Sequence, residues 1–122
     1  NKIVNTYDIR TSSIDKYVRF LSGGNQQKVI LGRELWSNPE LLIASQPTRG
    51  LDIGATEMIH NILLSARKNG MAIILHSSDL DEIISLSDRI AVIYNGEIVS
   101  ELSPKGIDET ILGLYMTGAR RD

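Results

Sequence analysis

The sequence predicts an α/β fold: a mainly parallel sheet with an antiparallel hairpin at its edge. Three observations predict it. Two short apolar runs, Leu41–Ala44 and Met71–Leu75, are separated by an apolar repeat at helical spacing. Strand, helix, strand in that rhythm is how parallel βαβ units are built. Asn95-Gly96 then joins the runs Arg89–Tyr94 and Glu97–Leu102, and Asn-Gly between such runs is the strongest short hairpin signal.

Residues 1–20 are mixed and weakly patterned, and none of them reads as the first strand of a sheet. The chain is therefore expected to be part of a larger domain. Ser22-Gly23-Gly24 breaks the backbone before a helical run from Asn25 to Trp36. Asn38-Pro39 ends that run, because the residue before a proline disfavours helix. Leu41–Ala44 is wholly apolar, the pattern of a strand buried on both faces. A loop follows from Gln46 to Ile53. Ala55, Ile59, Ile62, Leu63 and Ala66 then recur at helical spacing, closed by Asn69-Gly70. After the second apolar run come a polar loop, a short helix (Asp79 to Leu86), the hairpin and a helical tail, Ile107 to Met116.

The 122 residues are 42% hydrophobic and 23% charged, which suits one globular unit with a modest core. The net charge of −2 gives no sign of a nucleic-acid surface. Cysteine is absent, so a disulfide framework and a Cys-based metal site are excluded and a reducing compartment fits. No apolar run approaches the roughly 18 residues needed to cross a bilayer, and the first residues show no basic-then-apolar pattern of the kind a signal segment has. Any membrane role is expected to be peripheral.

The octet Leu21-Ser22-Gly23-Gly24-Asn25-Gln26-Gln27-Lys28 stands directly before a helix. Backbone N–H groups at a helix start are unpaired and carry partial positive charge, which favours an anion such as phosphate. Ser22 either caps the helix or donates to a phosphate oxygen. Taken alone, Ser-Gly-Gly reads first as the start of an ordinary Ser-capped helix, since such caps are common.

The whole octet resembles the signature motif of ATP-binding-cassette (ABC) ATPases. The resemblance continues through the strand Leu41–Ala44 and the loop Gln46-Pro47-Thr48-Arg49-Gly50-Leu51-Asp52 to the tail. It implies the C-terminal part of a P-loop-type ATPase domain, with residues of about 1–33 from the helical subdomain and about 34–122 from the α/β core. The wording of Asn25-Gln26-Gln27-Lys28 and of residues 46–55 is similar to the second ATPase domain of tandem-domain importers for simple sugars and nucleosides, with Gln-Pro-Thr, after Ile-Ala-Ser, leaning to the nucleoside branch.

That resemblance implies ATP and Mg2+ in the full-length protein. It implies as partners the other ATPase domain of the same chain, membrane permease subunits and, indirectly, a solute-binding protein, at the cytoplasmic face of the membrane. Ser22, Gly23, Gly24 and Gln26 would touch an ATP held by the partner domain. Asp52 would couple the two sites. An acidic residue at Gly24 is expected to cost most of the ATPase activity.

Three departures mark the chain's own site as degenerate. Gly-x-x-x-x-Gly-Lys-Ser/Thr is absent, and with it the main phosphate cradle, so the isolated chain is expected to bind ATP weakly or not at all and to be inactive. Where the family carries an Asp for magnesium and a Glu that polarises the attacking water, this chain has Ser45 and Gln46. Serine brings no charge, and an amide takes no proton as a carboxylate does. Ser78 stands where the family has a histidine, with His76 two positions earlier. His76 is expected to be a core or strand-end residue and no substitute.

The remaining polar residues have plainer readings. Glu57, Glu82 and Asp88 are expected on solvated helix faces, His60 at a surface position, and Trp36 in core packing. Arg49 either pairs with an acid across a domain interface or does not. Arg120-Arg121 is too small for a nucleic-acid or lipid site. Two other functions stay open at this stage: a soluble ABC-type ATPase acting on ribosome or DNA, and a non-enzymatic α/β binding module.

Overall fold

A computed structural model describes residues 2–120. The chain divides at His76/Ser77 into two units.

The first unit runs α1 (Lys2–Thr6), a 3-10 turn (Val18–Phe20), α2 (Gly23–Leu35), β1 (Leu41–Ser45), α3 (Ile53–Lys68) and β2 (Ala72–His76). β1 and β2 pair in parallel, from Leu41 opposite Ala72 to Ser45 opposite His76. This is the βαβ unit that the two apolar runs predict. Both long helices begin on a side-chain cap. The Ser22 hydroxyl accepts from the Asn25 N–H, and Asp52 accepts from the Ala55 N–H. The core is assembled from Ile9, Leu31 and Leu35, from Leu42 and Ala44 of β1, and from Ile59, Leu63 and Ala66 of α3.

β1 departs from its expected two-sided burial. Leu42 and Ala44 are buried, but Leu41 is 48% exposed and Ile43 67%. Ile74 of β2 is likewise exposed. A parallel pair needs a layer on each face, and the first unit covers one.

Trp36 also departs from expectation: it is 54% exposed, with the Lys2 ammonium 5.9 Å from its ring centroid. Successive helical residues project about 100° apart. Leu35 takes the inward position, so Trp36, the C-cap residue, turns out. Lys28 shows the reverse. It is buried, and its ammonium donates to the Asp8 carbonyl at 2.7 Å.

The second unit runs α4 (Leu80–Leu86), β3 (Ile90–Tyr94), β4 (Glu97–Leu102) and α5 (Glu109–Met116). β3 and β4 form an antiparallel hairpin, and among the described residues they make a two-stranded sheet of their own, separate from β1 and β2. Asn95 and Gly96 have φ of 51° and 82°, the paired left-handed geometry of a tight hairpin turn. Ile90, Val92, Val99, Leu112 and Tyr115 form the core, with Ile83 and Ile84 of α4 packed on it.

Glu82 is a correction. Expected on a solvated face, it is 2% exposed, because a seven-residue helix turned toward the hairpin core commits most of its circumference to packing. Glu57 is exposed on α3 as expected, Asp88 is exposed but lies beyond the end of α4 and not on a helix face, and His60 is half-buried. Arg121 lies outside the described residues, while Arg120 sits over the Tyr115 ring at 5.1 Å.

Candidate functional site

The octet forms the start of α2. Ser22 is the N-cap residue with extended ψ of 156°, and its carbonyl accepts the Gln26 N–H at 2.9 Å. The helical pattern leaves the N–H groups of Gly23 and Gly24 with no partner inside the helix. Ser22 and Gly23 are exposed and Gly24 is half-buried.

The two glycines are not equivalent. A Cβ on Gly24 would lie 2.7 Å from the Ala55 Cβ, whereas one on Gly23 would lie 3.4 Å from a methyl of Leu51. Gly24 lets the start of α2 lie against the start of α3. Gly23 leaves the terminus open. The feature therefore has a packing role and an exposed face at once.

Side chains along α2 then hold its surroundings. The Gln27 amide donates to the Pro47 carbonyl at 2.7 Å, tying the helix to the loop after β1. On another side, Asn25 accepts from the Arg10 N–H at 2.9 Å and Lys28 holds the Asp8 carbonyl. The Gln26 amide, expected to reach nucleotide, donates to the Leu21 carbonyl at 2.9 Å. A groove beside the terminus is lined by Arg10, Lys16, Phe20, Ser22 and Asn25 among others. Its two cations and the helix start set a positive environment against one acid, Asp8. The sequence marks Asn25 only as a member of the octet and gives no sign of Arg10 or Lys16; only the return of residues 8–16 to the helix start brings them together.

The second group of candidates lies at the C-terminal ends of β1 and β2. The Ser45 hydroxyl and His76 Nδ1 are 3.0 Å apart, and the Gln46 N–H donates to the His76 carbonyl at 2.7 Å. His76 is exposed at a strand end. Gln46 has φ of 48°, a left-handed conformation uncommon for a residue with a side chain and often found at functional turns. Ser78 belongs to the second unit, where it is exposed just before Asp79, the cap of α4.

A hydroxyl, an amide and an imidazole are a poor donor set for Mg2+, which takes oxygen ligands and commonly one or two carboxylates. Among the described residues no three acidic or histidine side chains cluster to hold a metal. These strand ends do not fit the ion.

Asp52 accepts the Ala55 N–H at 2.8 Å as the cap of α3. Its carboxylate thus has a structural task in the fold. Arg49 is exposed on the same loop.

No family model matches the chain. Single relatives do. It is 51% identical over 117 residues to the guanosine import ATP-binding protein NupO of Bacillus subtilis, 96% of this chain and 23% of that protein. It is 49% identical over 118 residues to the glucose import ATP-binding protein TsgD13 of Haloferax volcanii, 95% of this chain and 22% of that one. The nucleoside import ATP-binding protein NupA of Lactococcus lactis is 48% identical over 117 residues, 96% and 23%. The chain thus spans under a quarter of the length of these relatives.

Among solved structures, the ADP conformation of the ATP-binding cassette MJ1267 superposes with a TM-score of 0.76 at 26% identity, covering 94% of this chain and 47% of that one. The dimeric cassette MJ0796 gives 0.72 at 25% identity, covering 87% and 46%. The α/β fold, the signature octet at an exposed helix start and these similarities agree: the chain belongs to the ATP-binding proteins of ABC transporters and carries the C-terminal part of an ATPase cassette.

Proposed function

We propose that the full-length protein is the ATPase component of an importer for a nucleoside or simple sugar. In it, this chain contributes the start of α2 to an ATP held by a second ATPase domain. The observation that carries this is the exposed Ser22–Gly23 terminus in a chain 51% identical to a guanosine import ATP-binding protein. The glucose import relative at 49% keeps simple sugars in the class. Relatives named for import favour this over action on ribosome or DNA.

The chemistry divides between the two candidate groups. ATP is an anion with acceptor oxygens. The start of α2 offers N–H donors, a hydroxyl and the positive end of the helix. Such donors act by being fixed where charge develops in the transition state. The ends of β1 and β2 offer no carboxylate, either to hold the ion or to act as the base for water. The site this cassette would build on its own phosphate loop is therefore slow or silent, and turnover belongs to the site completed by α2.

Closure of the two domains would drive permease subunits, with a solute-binding protein delivering cargo. The protein would sit peripherally at the cytoplasmic face of the membrane. No helix among the described residues is long and apolar enough to cross one.

The test is a pair of substitutions in the full-length protein. Gly24→Asp is unsuitable, because a side chain there meets Ala55 and a folding defect would mimic loss of function. Gly23→Asp has room, and it puts a carboxylate against phosphate. It should lower ATPase kcat by about 100-fold. Gln46→Ala should change kcat less than about twofold. Turnover abolished by Gln46→Ala, or preserved by Gly23→Asp, would refute the asymmetric assignment.

A further inference from the structure

We infer that Asn25 is a positioning residue that turns Ser22 into a dedicated hydrogen-bond donor at the nucleotide-facing end of α2. The inference rests on the reading of that terminus given above, and it adds a residue and a direction of hydrogen bonding to it.

The amide of Asn25 has one possible orientation. The Arg10 N–H can only donate, and it reaches Oδ1 at 2.9 Å. Nδ2 must then face Ser22, where it lies 2.9 Å from the hydroxyl oxygen. The Asn25 backbone N–H approaches the same oxygen at 3.4 Å. A serine hydroxyl has two acceptor sites and one proton. Asn25 occupies both acceptor sites, so the proton is left to point away from the helix.

Ser22 is exposed, and it borders the groove that also contains Arg10 and Lys16. The free valence is a donor at the border of a groove that Arg10 and Lys16 also line. The ligand that matches is an acceptor-only anion such as a phosphate oxygen; a ligand that itself donates finds no acceptor on Ser22. Because the relay begins at the Arg10 backbone, the direction of the hydroxyl depends on residues 8–10 staying docked. Lys28 secures the same segment one turn along, through the Asp8 carbonyl.

A double-mutant cycle on the full-length protein tests this. Ser22→Ala, Asn25→Ala and the double variant are assayed for ATPase kcat, ATP KM and thermal midpoint. Asn25→Ala should lower kcat about tenfold and change KM less than about twofold, since a misdirected donor is lost mainly from the transition state. In the Ser22→Ala background the same change should cost nothing further in kcat, although its effect on the thermal midpoint persists. If Asn25→Ala lowers kcat as much without Ser22 as with it, Asn25 acts independently and the relay is refuted. If Ser22→Ala itself leaves kcat intact, the nucleotide-facing role of the terminus fails as well, a separate and recognisable result. Should Asn25→Ala not fold, Asn25→Asp enters the same cycle. It keeps an acceptor for the Arg10 N–H but would draw the Ser22 proton inward, and wild-type kcat in that variant overturns the inference.

Discussion

Gly24 and Gly54 both stand near the start of a helix, yet their surroundings give them opposite tolerance. A Cβ at Gly24 meets the Ala55 Cβ at 2.7 Å. At Gly54 the nearest atom is an oxygen of Asp52 at 3.5 Å. Alanine gains up to about 1 kcal/mol over glycine within a helix, while forcing extra volume into a packed contact costs about 1–3 kcal/mol. Gly24→Ala should therefore lower stability by about 1 kcal/mol, and Gly54→Ala should leave it unchanged or raise it slightly. Thermal or urea unfolding of the full-length protein checks both. The octet shows two adjacent glycines but not which one faces Ala55, because that neighbour arrives from a helix some thirty residues later. The same holds for Lys28 and Glu82: buried charges look like solvated ones until the packing partners are known.

Among the elements, α3 shows how a residue expected to couple two sites also builds the fold. Asp52 caps the helix through the Ala55 N–H, and loss of such a cap costs about 1 kcal/mol. Asp52→Ala should lower the unfolding free energy by about that amount, and Asp52→Asn should restore most of it, since an amide oxygen still accepts. Any ATPase defect that persists in Asp52→Asn would then report on charge and not on capping. At this scale the sequence was easiest to read. Caps at Ser22 and Asp52, the Asn95-Gly96 turn and the apolar strand runs all act within a few residues, so α2, β1, α3, β2 and the hairpin follow from local chemistry. α1 escaped notice because five residues carry too little periodicity to register.

For the molecule as a whole, the decisive features are what the chain offers and what it leaves uncovered. Ile43 and Ile74 present an apolar sheet face to solvent, a surface that a parallel pair ordinarily buries under a second layer. The phosphate loop is absent from the sequence, and the ends of β1 and β2 hold no carboxylate for a magnesium ion. The isolated chain should accordingly show no saturable, magnesium-dependent ATP binding by calorimetry. A clear titration with one site would contradict the division of labour proposed here.

The sequence by itself determined the fold class, the order of the main elements, the family resemblance of the octet and the absence of a carboxylate at Ser45 and Gln46, since these depend on residue identity and short-range pattern. Only the tertiary structure decided that Gly24 packs against Ala55 while Gly23 stays open, that the Gln26 amide donates to the Leu21 carbonyl, and that Asn25 stands between Arg10 and Ser22. Those facts arise from segments distant in the chain meeting at one helix end. No local pattern encodes such a meeting, because it is fixed by how the whole unit closes around its core.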